Sequence, residues 1–406
     1  MKQFSRTKKR KAPDYMNDSV QNPYYENVSA GLGILQVILY FTLFAFIILS
    51  FVGNTNLITY RNFYYFFKDL DASFDSIDVF KSDWMTYPTD TTQYFTLYRG
   101  GLAVIGGHSV STFTETGRQT VSESIQYRNP MAEGRGRYLM VYEMGGTQYS
   151  LYNSYTQLYA DKTDYPINGV AVSDSGVYAI LSSSESYSSV VSLYNDNFAL
   201  INRYNKNSFV TDVAIDGKGK LVALLSADPK GGTFETTLEL YVPGESEEKK
   251  KVSLGEGMAY SCTFTSSGVI AVSFSDSIVF VSSDGKILNA FDFQGETPLL
   301  ADIGDDGVAI VLRRSAISSK NHIIVFDKNG KMLYNEDIDA QADAIARFGN
   351  SVFLMTDSEI LRLSLDSAKV ATVKHQTDQR CILAVTEDDI LICSPQKAEY
   401  IHFQKS

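Results

Sequence analysis

Two hydrophobic patterns divide the chain. From Leu32 to Val52 runs LGILQVILYFTLFAFIILSFV, 21 residues without a charge. From about Thr92 onward, short apolar runs with a period of two stop at clusters of Gly, Asn, Asp and Ser. The first pattern predicts a helix, and at 1.5 Å per residue a run of that length spans the roughly 30 Å hydrocarbon core of a bilayer. The second predicts strands joined by tight turns.

The strand-like region repeats one phrase. DVAIDGKGKLVALLSA at 212–227 has relatives in GVAVSDSGVYAILSSS at 169–184, CTFTSSGVIAVSFS at 262–275 and LADIGDDGVAIVLRR at 300–314. The turn glycines Gly136, Gly176, Gly219, Gly268 and Gly307 are 40, 43, 49 and 39 residues apart. Weaker copies at 94–107, 344–356 and 382–394 raise the count to eight units. A second hairpin follows the phrase, as in SIVFVSSDGKIL from 277 and HIIVFDKNGKML from 322, where Asp284-Gly285 and Asn329-Gly330 suit turns that need positive φ. Four short strands per period of about 40 residues predict an all-β fold, a β-propeller of four-stranded blades. Eight blades are expected, with seven as the alternative. One such sheet cannot bury both its faces, whereas stacked blades bury one another. The unit from 382 offers only three strands, so a fourth is expected from upstream, with SIDVFK at 76–81 as the candidate. The charged stretch YVPGESEEKKKVSL at 241–254, with Glu247, Glu248, Lys249, Lys250 and Lys251, accounts for the longest spacing and reads as a solvated hairpin tip.

Charge sharpens the division. Residues 1–31 carry six Lys and Arg against Asp14, Asp18 and Glu26, so a tail of +3 precedes a body of −14 within the net −11. An acidic body argues against nucleic acid, whose phosphates need a basic footprint. The organisation expected is a basic cytoplasmic tail (1–31), a transmembrane helix (32–52), a juxtamembrane aromatic helix and linker (53–91) and a propeller (92–406). By the distribution of positive charge, the protein is expected in the cell membrane as a single-pass protein, N-terminus cytoplasmic and propeller extracytoplasmic. In the tail, NPYYENV at 22–28 has the look of a tyrosine signalling motif, but polar, unpatterned neighbours favour a disordered tail.

Chemistry is sparse. Cys262, Cys381 and Cys393 have no metal-ligand spacing and sit in strand-like runs as buried thiols; a turn centred on Glu387 would bring Cys381 and Cys393 close enough for a cross-strand disulfide. His108, His322, His375 and His402 match no metal motif, and GDDG at 304–307 and DKNG at 327–330 lack a full calcium-loop spacing and read as turns. No catalytic, cofactor-binding or metal-binding residue is assigned. Residues 127–204 hold 12 of the 26 tyrosines, and Tyr149, Tyr152 and Tyr155 are the candidate binding residues, because tyrosine joins an apolar ring to a hydroxyl; strand filling is the competing reading.

The segments RNPMAEGRGRYLMVYEMGGTQYSLYN at 128–153 and GVAVSDSGVYAILSSSESYSSVVSLYNDN at 169–197 resemble an uncharacterised family of membrane-anchored proteins from Firmicutes, chiefly Clostridia. The resemblance implies an exported quinoprotein-like or WD-like propeller and brings no active-site residues. A quinone is not expected: Trp84 is the one tryptophan, upstream of the repeats, and no two cysteines are adjacent. The function expected is a binding or scaffolding module for a cell-envelope protein or glycan. The alternatives are an envelope hydrolase or lyase acting at the propeller channel, which calls for carboxylates with perturbed pKa values there, and a sensor signalling through a partner.

Overall fold

A strand whose two faces are both covered by neighbouring sheets should be apolar at every position, not at every second one. That is the pattern of the second strand of each repeat in the computed structural model: Gly101–Gly106, Tyr138–Glu143, Tyr178–Ser182, Ile270–Ser273 and Ser351–Met355 are buried almost throughout. The structure describes residues 32–45, 84–98, 101–313, 320–367, 369–375 and 378–404. The chain divides into one unit over Met1–Ala72 and another over Ser73–Ser406.

The second unit is an eight-bladed propeller, eight antiparallel sheets of four strands each. In chain order the blades cover Gln93–Ser124, Pro130–Lys162, Ile167–Lys206, Phe209–Glu256, Ser261–Asp292, Thr297–Ile338 and Ala344–Lys374, numbered 1 to 7. Blade 8 is composite: Cys381–Ala384, Asp389–Cys393 and Lys397–His402 are completed at the outer edge by Trp84–Thr86. The fourth strand therefore does come from upstream, but from 84–86; the stretch 76–81 lies outside the described residues. Within each blade, successive strands run outward from the ring axis, and each innermost strand contacts the next blade's. Eight hydrophobic clusters fill the eight interfaces. Leu139 and Val141 of blade 2 pack toward blade 1, while the alternate residues Met140 and Tyr142 pack toward blade 3. Period-two alternation thus sorts apolar side chains between two neighbours, and a regularly alternating exposed face is seen on outer strands such as Val370–Lys374.

Glycine enforces the turn between the first and second strands of blade 6. Gly307 has φ 120°, and a Cβ there would lie 2.3 Å from the Phe326 carbonyl oxygen. The GDDG sequence is a turn whose carboxylates are committed: Asp305 pairs with Arg135, and Asp306 accepts from the Gly349 N–H at 2.7 Å.

In the first unit the described element is a helix over residues 32–45. At 1.5 Å per residue it is about 21 Å long, short of the roughly 30 Å a bilayer core requires. No helix among the described residues is long and apolar enough to cross a membrane. This corrects the expected transmembrane span and, with it, the expected placement as a single-pass membrane protein with an extracytoplasmic propeller. Residues 46–52, the basic tail and the aromatic stretch at 53–83 lie outside the described residues.

Candidate functional site

The strand order puts two kinds of connection at one end of the ring: those that pass between blades, and the second-to-third-strand turns within them. Between blades 1 and 2 these connections enclose an open, polar cleft of about 750 Å³, lined among others by Asp90, His108, Tyr127, Arg128, Glu143 and Gln148. Carboxylates fix its walls. Asp90, in the connection entering blade 1, accepts from the His108 N–H at 3.0 Å and the Thr91 N–H at 2.7 Å, and its Oδ2 lies 3.1 Å from His108 Nδ1. Desolvation pushes the Asp90 carboxyl up, and the hydrogen bonds from His108 and Thr91 outweigh it, leaving the carboxyl below its usual range. In blade 2, Glu143 accepts from the Arg128 N–H at 3.1 Å and so ties the entering connection to the turn. The His108 side chain itself is 81% exposed.

The innermost strands carry a second set of carboxylates, in alternate blades. Glu133 of blade 2 accepts from the Val172 N–H of blade 3 at 3.2 Å; Asp212 of blade 4 from the Cys262 N–H of blade 5 at 2.8 Å; Asp302 of blade 6 from the Arg347 N–H of blade 7 at 2.6 Å. Each clamps one blade to the next. Burial raises all three carboxyls, Glu133 to about 8 and Asp212 to about 6, and the negative charge of Asp212 adds to the rise at Glu133.

At the other end of the axis, Arg135 reaches across the ring. Its Nη2 donates to Asp305 Oδ1 at 2.6 Å, and its Nε lies 3.7 Å from Asp174 Oδ1. Blades 2 and 6 stand opposite each other in a ring of eight, so this ion pair braces the ring across its diameter.

The tyrosines singled out from sequence do not form one surface. Tyr149 is 2% exposed and packs between blades 2 and 3, with Tyr178 at 6.3 Å between ring centroids. Tyr152 is fully buried on the opposite side, between blades 1 and 2. Three positions apart on one strand, the two rings point to opposite faces. Tyr155 is half-buried in the following turn, where its N–H donates to Asn153 Oδ1 at 2.9 Å. Most of the tyrosine-rich stretch packs inward, although Tyr187 is 40% exposed: Tyr178 and Tyr194 stack at 4.8 Å, as do Tyr159 and Phe198.

Cys381 and Cys393 are direct cross-strand partners in blade 8 and are free thiols, as is Cys262. The four histidines each have a hydrogen-bond partner: Asp90 for His108, Glu296 for His322, the Thr356 carbonyl for His375 and Asp389 for His402.

Among solved structures, the C-terminal WD40 domain of Sif2 superposes with a TM-score of 0.55 at 13% identity, covering 80% of this chain and 99% of that domain. The WD40 domain of Neurospora crassa Pan2 gives a TM-score of 0.46 at 11% identity, covering 68% of this chain and 91% of its own. The first likeness establishes a WD40-like propeller fold. No curated protein sequence matches the chain. Residues 71–403, the ring together with the segment leading into its closing strand, match the family of unknown function designated DUF5711, and the chain belongs to that family.

Proposed function

We propose that this propeller is a protein-binding scaffold that holds a partner on the end of the ring carrying the interblade connections. The cleft between blades 1 and 2 carries the reading: it is open and polar, its backbone is tied down by Asp90 and Glu143, and His108, Arg128 and Gln148 line it. A preorganised surface of this kind loses little entropy on binding. The partner class is a protein, with a glycan as the other ligand suited to a polar cleft.

The test is quantitative crosslinking in cells with the full chain, comparing the native sequence with a variant carrying His108→Ala, Arg128→Ala and Gln148→Ala. A protein enriched with the native chain and lost with the folded variant is the expected result. Equal recovery with both, or no enrichment over an unrelated propeller, refutes the placement.

A second reading, a hydrolase or lyase acting in the channel, draws support from Glu133, whose carboxyl is held protonated near neutral pH beside the more acidic Asp212. Both groups already accept interblade hydrogen bonds, which favours the scaffold. Turnover of a glycoside or ester panel by the purified chain, abolished by Glu133→Gln, would reverse that preference.

A further inference from the structure

The innermost strand of the closing blade, Cys381–Ala384, is four residues long, a length shared only by blade 5; the other innermost strands have five to eight. One end of this short strand is held by the turn into the second strand, where the Val385 N–H donates to the Asp389 carbonyl at 2.9 Å. At the other end Cys381 stands directly opposite Cys393. The residues that flank these two cysteines fasten the ring. The Arg380 N–H donates to the Cys393 carbonyl at 2.8 Å, and Arg380 Nη1 donates to Gln93 Oε1 of blade 1 at 3.2 Å. Gln93 Nε2 donates to the Pro395 carbonyl at 3.1 Å, and the Tyr87 hydroxyl, just after the upstream strand of blade 8, donates to the Ser394 carbonyl at 2.7 Å. The contacts that join the two ends of the ring therefore converge on the backbone beside the cysteine pair.

Register also gives the pair the geometry a disulfide needs. Residues directly opposite in an antiparallel ladder lie about 4.5–5.5 Å apart at Cα and point to the same face, inside the roughly 4.4–6.8 Å over which two cysteines can be bridged. Both side chains belong to the cluster that packs blade 8 against Phe95 and Leu102 of blade 1, and the two thiols are hydrogen-bonded to each other. Cys262 has no such neighbour: its cross-strand partner is Val272, and no second cysteine joins its cluster.

The two sulfurs are not equivalent. Cys393 is fully buried, whereas Cys381 is half-buried and follows the exposed Arg380. Burial, reinforced by the neighbouring Cys381, pushes the Cys393 thiol well above its ordinary range. A reagent from solution therefore meets Cys381 first, and Cys393 stays a thiol until a sulfur is presented beside it.

We propose that Cys381 and Cys393 are a redox-responsive dithiol that forms a reversible disulfide beside the contacts closing the ring, with Cys381 reacting first and Cys393 resolving. The oxidant is a low-molecular-weight disulfide. The Cys381 thiolate attacks one of its sulfurs, forming a mixed disulfide and releasing one small thiol. Cys393 gives up its proton to solvent and attacks the Cys381 sulfur, closing the protein disulfide and expelling the second small thiol. The protein loses two electrons and two protons, and the small disulfide is reduced to two thiols. The bond staples the open end of the short inner strand, so the backbone carrying the Arg380, Ser394 and Pro395 contacts is fixed in the oxidised chain and held by hydrogen bonds alone in the reduced one.

The test equilibrates the folded full chain in buffers of increasing glutathione disulfide to glutathione ratio, alkylates the remaining thiols and maps them by mass spectrometry. Two of the three thiols are expected to disappear together into a Cys381–Cys393 linked peptide, to return on adding dithiothreitol, and to leave Cys262 alkylated. Cys393→Ala should trap glutathione on Cys381. Oxidation should raise the urea midpoint of the native chain by about 0.5 M or more, because the link restricts the unfolded state, and should leave that of Cys381→Ser unchanged. Three free thiols at the most oxidising ratio, glutathione retained on Cys381 of the native chain, or Cys262 lost in step with the other two would overturn the dithiol. A disulfide that leaves the urea midpoint where it was would overturn its role in holding the ring closed.

Discussion

Replacing Glu133 with Gln should stabilise the ring, and increasingly so as the pH rises. The Glu133 carboxyl is raised from 4.5 to about 8, first by burial and then by the charge of Asp212, against the opposing hydrogen bond from Val172 and the charge of Arg135. A carboxyl raised in the folded state contributes its full stability below the unfolded value, near pH 4.5, and loses that contribution as the pH rises through the folded value. Applied at pH 7, linkage between these two values gives a penalty of about 3 kcal/mol for the native Glu133 relative to a neutral group, and about 5 kcal/mol when it is fully ionised. The side chain is partly exposed on the inner strand, which screens the charge, so about 2 kcal/mol at pH 7 is the expected gain. Glutamine keeps an oxygen to accept from the Val172 N–H, so the interblade clamp is retained. Urea unfolding of both proteins at pH 4.5, 7 and 8.5 reads the difference directly. The two should be nearly equal at the acid end and diverge toward the alkaline end. A glutamine variant no more stable than the native protein at alkaline pH, or a difference that does not change with pH, would refute the assignment of an ionisation-resistant carboxyl.

Two further outcomes follow from packing. Met85, 3% exposed in the closing strand and packed with Leu391 and Phe113, should cost about 2–5 kcal/mol when cut to Ala, read as a lower urea midpoint; no loss would mean that the upstream strand does not hold blade 8. Gly307→Ala combines a positive φ with a Cβ 2.3 Å from a backbone oxygen and should cost about 2 kcal/mol or more in a thermal melt, whereas Ala at Gly145, also at positive φ but with open space around it, should cost less.

Blade boundaries were legible because each turn glycine recurs at nearly constant spacing and because hairpin turns need particular residues. The closing strand was misplaced for a physical reason: WMT at 84–86 is three residues long, too short to display a period, whereas SIDVFK displays one. The tyrosines left two readings open, a binding face and strand filling, because strand alternation normally distinguishes an inner face from an outer one. In a propeller both faces are inner, so Tyr149 and Tyr152 are buried on opposite sides of the same strand. The inner carboxylates left a faint signal, an acidic residue within the first strand of alternate units, in MAEGR, TDVAI and LADIG. The Arg135–Asp305 brace left none, since 170 residues separate partners that meet only once the ring has closed.

The composite eighth blade also bears on how the chain is made. Synthesis delivers Trp84–Thr86 before any complete blade and Lys397–His402 after the other seven, so the first of the described strands to leave the ribosome waits for nearly the whole ring before its partner exists. Until then the nascent ring has two raw ends, one at blade 1 and one at the newest blade, each an apolar sheet face with no neighbour. Closure removes both at once, which makes the finished ring an all-or-none product of translation and leaves the unfinished chain as the form that chaperones would recognise.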